Sequence, residues 1–112
     1  MKVKSYETFR CDAGWRTFSF LKLVTDTGPI GWSEYNESFG SPGLSGAIDA
    51  LMPSVVGMDP MDLELINAVL ATKSTQSRGG IVRQAIGAIE NALLDIKGKA
   101  LGVPVYQLLG GK

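Results

Sequence analysis

The apolar positions Val82, Ala85, Ile86, Ile89, Leu93, Ile96 and Ala100 recur at three- and four-residue steps, the spacing that places side chains on one face of a helix. The pattern predicts a long amphipathic helix. Ala88, Ala92 and Leu94 lie beside Glu90, Asp95 and Lys97, which predicts a second apolar contact separated from the first by a narrow polar seam. Such a helix packs between layers. Gly102 is its expected end, because glycine accepts the left-handed turn at a helix C-terminus and Val103, preceding Pro104, avoids helical geometry. Lys97 and Lys99 fall in the last turns, where the helix dipole favours a cation by about 0.3–1 kcal/mol at an exposed site. Gly98-Lys99 is read as a helix tail. A phosphate loop needs Ser or Thr after the lysine and a further glycine upstream, and those places hold Ala100 and Leu93.

Upstream, the period changes. Lys2 to Cys11 carries Val3, Tyr6 and Phe9 in a charged setting and reads as an edge strand with Lys2, Lys4 and Glu7 in water. Thr17 to Thr25 is aromatic and β-branched, bounded by the turn Asp26-Thr27-Gly28-Pro29, and Ile30, Trp32 and Tyr35 follow in a third strand. A three-stranded antiparallel meander is the simplest arrangement. Ile48, Leu51 and Met52 then begin a helix from Leu44, with Pro42 at its N-terminal turn and Pro53 cutting it short or kinking it. Asp59 is the expected N-cap of a second helix, with Asp62 in its first turn and Leu63, Ile66 and Leu70 on its core face. Thr72 to Gly80 reads as a loop, and Tyr106, Leu108 and Leu109 suffice for one short terminal turn of helix. The fold class is α+β: a three-stranded antiparallel β-meander followed by a helical bundle.

At 112 residues the chain has one domain's length, enough to bury roughly 60–70% of its extended surface. Eleven basic and eleven acidic residues are scattered and cancel, so no footprint for nucleic acid or an anionic membrane is present. The single Cys11 has no partner for a bridge and no histidine to activate it, and reads as a small strand residue. Neither a signal peptide nor a membrane span is indicated, and the expected setting is cytoplasmic.

Chemistry is sparse. Of Asp59 and Asp62, three apart, the first is explained as a helix cap, Glu34 and Glu37 flank a loop without a third ligand, and Lys97 and Lys99, two apart on a helix, point apart. No catalytic or metal-binding residue is assigned. Two loops stand out: Asp12–Arg16, with Trp15 beside Arg16, and Asn36–Gly43, with Phe39 among small residues after Tyr35 and Asn36. On the residues alone each is either a plain connection or a binding loop.

Three strings resemble a known family at matching spacing. They are A-I-E-N-A-L-L-D-I-K-G-K-A-L-G-V-P-V-Y-Q-L-L-G-G at Ala88–Gly111, T-D-T-G-P-I-G-W-S-E at Thr25–Glu34 and G-M-D-P at Gly57–Pro60. Together they are similar to the N-terminal capping domain of the mandelate racemase and muconate lactonizing branch of the enolase superfamily. The resemblance implies an enolase N-terminal domain-like fold over residues 1–112. It also implies a C-terminal (β/α) barrel absent from this chain, carrying the magnesium ligands and the base that abstracts a proton next to a substrate carboxylate. The whole enzyme is then an acid sugar dehydratase, racemase or cycloisomerase, and homo-oligomeric. This chain alone is not catalytic and binds no magnesium. The same resemblance puts both loops over the barrel mouth, so that Trp15, Arg16, Tyr35, Asn36 and Phe39 are the expected substrate-side residues. Glu34, after Ser33 where the family commonly has glycine, is expected to order the second loop. The alternative is a stand-alone module that self-associates or binds another protein through the faces a barrel would cover.

Overall fold

The computed structural model describes residues 1–12, 14, 15, 17–37, 43–73 and 80–110. Three strands, β1 (Val3–Asp12), β2 (Thr17–Thr25) and β3 (Ile30–Tyr35), form an antiparallel sheet in the order β1-β2-β3. Helices α1 (Leu44–Leu51), α2 (Leu63–Lys73), α3 (Gly80–Leu101) and the single turn α4 (Val105–Leu108) follow. The meander and the helical half are those expected. Pro53 falls in a turn of 3-10 helix, Met52–Ser54, which ends α1 after two turns.

Leu21 and Leu23 of β2 point inward with Gly31, Ser33 and Tyr35 of β3, against Ile48, Met52, Ile66, Leu70, Ile89, Leu93 and Ile96 from the helices. Helix α3 touches β2, β3, α1, α2 and α4, so it does lie between layers. Its two apolar sets are buried as expected except for Val82, which is half-buried, and Ala100, which is exposed. There the chain has already turned away: the Val103 N–H bonds to the Gly98 carbonyl at 2.9 Å and the Gly102 N–H to Lys99 at 3.3 Å, with Gly102 at φ 71°. That paired closure at a left-handed glycine is the expected end of the helix.

The close meeting of α3 with β3 accounts for the G-W-S-E string. Gly31 has no room for a side chain, because a Cβ there would collide with the Ala92 carbonyl and lie 2.6 Å from Ile96 Cγ1. Ser33, one step along the same face, donates its hydroxyl to the Ala88 carbonyl at 2.8 Å. Trp32 is consequently turned to the other face, 43% exposed, tilted against Phe9 with ring centroids 5.8 Å apart and with Lys22 Nζ 5.6 Å from its ring. The helix also covers the outer edge of β3. Asp95 accepts the Trp32 N–H at 2.9 Å, Lys99 donates to the Ile30 carbonyl at 2.6 Å, and the two side chains pair at 3.0 Å. Unpaired edge groups that invite another strand are thereby occupied.

The G-M-D-P segment closes on the other edge, where Val3 exchanges hydrogen bonds with Met58 and Gly57, both 2.8 Å. Asp59 does not cap α2. Its carboxylate takes the Met61 N–H at 2.9 Å and its carbonyl the Asp62 N–H, making a separate turn. The Asp62 carbonyl accepts from Ile66, so the helix starts at Leu63, three residues beyond Pro60. Helix α2 runs on to Lys73, into the stretch read as loop, and 74–79 lie outside the described residues.

Candidate functional site at one end of the sheet

An up-down-up meander puts its first and third connections at the same end, whatever their residues. Asp12 pairs with Thr17 and Ser19 pairs with both Arg10 and Tyr35, so the β1–β2 connection and the exit from β3 sit together. The turn Asp26–Pro29 is at the opposite end. The described ends of the two loops singled out from the sequence therefore share one side of the molecule.

In the first connection the Asp12 carboxylate accepts the Gly14 N–H at 2.8 Å, a local bond that Asp offers readily in turns. Trp15 is 73% exposed and stands edge-on to Phe18 with ring centroids 6.0 Å apart. Arg16 lies outside the described residues, as do Phe39 and Pro42. In the second, Asn36 is exposed while Tyr35 is buried, its hydroxyl 2.7 Å from Ser45 Oγ. Asn36, Glu34 and Tyr35 border a depression of about 250 Å³ whose far wall is Gln84, Ala88 and Asn91 of α3. That is below the roughly 300–1,000 Å³ of ordinary ligand pockets. A groove of about 450 Å³ between α2, α3 and α4, with Leu65, Leu94 and Leu109 in its wall, shares no residue with this end.

A carboxylate that organises this end is Glu37. Glu34 is exposed on the outer face of β3, whereas Glu37 is the one buried carboxylate among the described residues. Its Oε2 accepts the Ser45 N–H at 2.8 Å, and its Oε1 accepts the Ser45 hydroxyl at 2.9 Å and Arg10 Nη2 at 2.8 Å. The single Ser45 hydroxyl proton is thus committed to Glu37, which leaves Tyr35 as donor to Ser45 Oγ. Burial alone raises the Glu37 pKa, but the hydrogen bonds from Ser45 and the charge and hydrogen bond of Arg10 outweigh it and hold the carboxyl below its ordinary value. Helix α1 has Gly43 at its N-cap, with no side chain to satisfy the first-turn N–H groups. Glu37 supplies that acceptor from six residues upstream. The sequence reading weighed Glu37 only as half of a carboxylate pair; the signal that marks it is a glycine where a helix ordinarily carries Ser, Thr or Asp.

No group of three or more His, Cys, Asp or Glu side chains placed to hold a metal occurs among the described residues. No described helix is long and apolar enough to cross a membrane.

An α+β domain with a three-stranded meander, a long helix laid on its third strand and two connections gathered at one end is the architecture of an enolase-type N-terminal domain. The chain belongs to the family described as mandelate racemase / muconate lactonizing enzyme, N-terminal domain, which matches residues 7–110. A D-galactonate dehydratase of Verminephrobacter eiseniae is 39% identical over 99% of this chain. A Burkholderia xenovorans protein named provisionally as an L-alanine-DL-glutamate epimerase, whose crystal structure holds magnesium and fumarate, is 51% identical over 99% of the chain, with a TM-score of 0.95. The 3,6-anhydro-D-galactonate cycloisomerase of Zobellia galactanivorans is 32% identical over 99% of the chain, with a TM-score of 0.88. The chain spans 28% of the dehydratase, 28% of the Burkholderia protein and 32% of the cycloisomerase.

Proposed function

We propose that this chain is the capping domain of an enolase-superfamily enzyme, and that it shapes the pocket for a small carboxylate, of acid-sugar type, on which a (β/α) barrel performs magnesium-assisted proton abstraction. The observation that carries the reading is the shared end of the sheet, which gathers two loops while offering only a shallow depression: half of a site, completed by another surface. Trp15, Arg16, Asn36 and Phe39 are the substrate-side residues, and Tyr35 holds its neighbour Asn36 in place from within the core. Glu37 itself is not free to ligate magnesium, since both its oxygens are occupied by Arg10 and Ser45. The metal ligands and the base belong to the barrel, and catalysis by the domain alone is not expected.

The test is turnover by the complete protein with magnesium on D-galactonate, 3,6-anhydro-D-galactonate and an alanyl-glutamate dipeptide. Activity that loses substrate affinity on Trp15→Ala or Asn36→Ala supports the assignment. Turnover by residues 1–112 alone, or full activity in both variants, refutes it. A second reading, self-association or binding of another protein, is favoured by the exposure of Leu65 and Leu109 on the α2–α4 groove. A dilute monomer by light scattering, without binding of a hydrophobic dye, would remove it.

A further inference from the structure

We infer that Glu37 is a positioning residue for substrate recognition: it locks the end of β1, the exit of β3 and the start of α1 into one rigid unit, which fixes Trp15 and Asn36 relative to each other. This rests on the reading of the sheet end as substrate-facing. Arg10, two residues before the Asp12 turn that carries Trp15, reaches across β2 over the buried Ser19 to Glu37. Asn36 is the residue next to Glu37, and Ser45 lies in the first turn of α1. Three elements that leave the site in different directions are therefore joined through two carboxylate oxygens.

The geometry is over-determined for a surface ion pair. Arg10 is mostly exposed, with 68% of its side chain accessible against 9% for Glu37, so the pair adds little to stability and serves to tie the end of β1 to a carboxylate that is itself fixed. The carboxylate is fixed by the Ser45 N–H and by the relay from Tyr35 through the Ser45 hydroxyl, bonds that are partly buried. A buried acceptor serving three donors cannot be replaced by an amide, which has one acceptor oxygen and presents an NH2 group to donors. Glu37→Gln keeps the shape and breaks the lock.

The experiment compares wild type, Glu37→Gln and Arg10→Lys in the full chain labelled with 15N-tryptophan and 15N-serine. In Glu37→Gln the Ser45 amide and the Trp15 indole resonances move, while the Trp32 indole, on the outer sheet face near the α3 clip, stays. Arg10→Lys, which keeps a donor and a charge, leaves Trp15 close to its wild-type position. An unmoved Trp15 indole in Glu37→Gln, or equal movement of Trp32, overturns the inference. In the complete enzyme acting on D-galactonate with magnesium, Glu37→Gln raises KM about tenfold with kcat within about twofold, the split expected when binding geometry is lost but the chemistry is not. A fall in kcat at unchanged KM also overturns it. A wild-type protein inactive on all three substrates counts against the function proposed above, and the resonance comparison then still decides whether Glu37 couples the two connections.

Discussion

Replacing Gly31 with alanine tests the packing on which the whole domain depends. The added Cβ would collide with the Ala92 carbonyl and lie 2.6 and 3.0 Å from Cγ1 and Cδ1 of Ile96. Ile96 can shift its side chain, but the Ala92 carbonyl belongs to the helix backbone. To restore ordinary contact, α3 must withdraw from β3 by about 1 Å, which forfeits dispersion along the seam. Overpacking of this kind costs about 1–3 kcal/mol, and the upper end applies because backbone is struck. The same withdrawal strains three bonds that span the seam, from Trp32 to Asp95, Ser33 to Ala88 and Lys99 to Ile30, each contributing about 0.5–1.5 kcal/mol. A total loss of about 3–5 kcal/mol is a large part of the roughly 5–15 kcal/mol that stabilises a domain. In urea, with a slope of about 1–3 kcal/mol per molar, the midpoint falls by at least about 1 M. Gly46→Ala is the internal control. Gly46 lies exposed within α1 with nothing near its missing Cβ, so alanine there stabilises by about 0.8–1 kcal/mol. Two identical substitutions should move the midpoint in opposite directions. If Gly31→Ala stays within about 0.5 kcal/mol of wild type, or if both move the midpoint the same way, the close-approach argument fails.

Glu37 makes stability depend on acid. Its folded pKa lies below the ordinary value, so its contribution is complete above the ordinary glutamate range and is lost as the pH falls through the folded pKa. Urea midpoints measured between pH 6 and pH 3 should decline less steeply in Glu37→Gln than in wild type, and equal slopes would contradict the assignment. Asp95→Ala frees the outward Trp32 N–H and leaves the Lys99 ammonium group with the Ile30 carbonyl alone of its two partners on this edge. It should cost about 1 kcal/mol and make association concentration-dependent by light scattering, as an uncovered strand edge allows. Gly102→Ala forces a side chain into φ 71° and should cost about 1 kcal/mol or more by thermal unfolding.

What the sequence disclosed and what it hid follow from one assumption, that a core-facing position is apolar. The assumption holds for α3, whose Ile86, Ile89, Leu93 and Ile96 face layers on several sides, and for Leu21 and Leu23 of β2. It fails on β3. There, before Tyr35 returns to the core, the helix backbone itself is the neighbour, so the inward positions shrink to Gly31 and Ser33, and the largest residue, Trp32, is turned outward. Asp59 shows a related limit: Asp-Pro signals a turn with a satisfied N–H, but whether a helix follows at once or three residues later depends on the Asp62 carbonyl, which no side-chain pattern reveals. The site divides in the same way. That the loops around Trp15 and Asn36 meet at one end follows from strand number alone, since the first and third connections of any meander coincide. The residue that joins them does not announce itself, because Glu37 looks like any loop carboxylate until the capless Gly43 is seen to need an acceptor. A helix start without its own cap, preceded within a turn or two by a lone acidic residue, is therefore a sequence signal for a buried carboxylate, and here it falls beside the residues proposed to meet substrate.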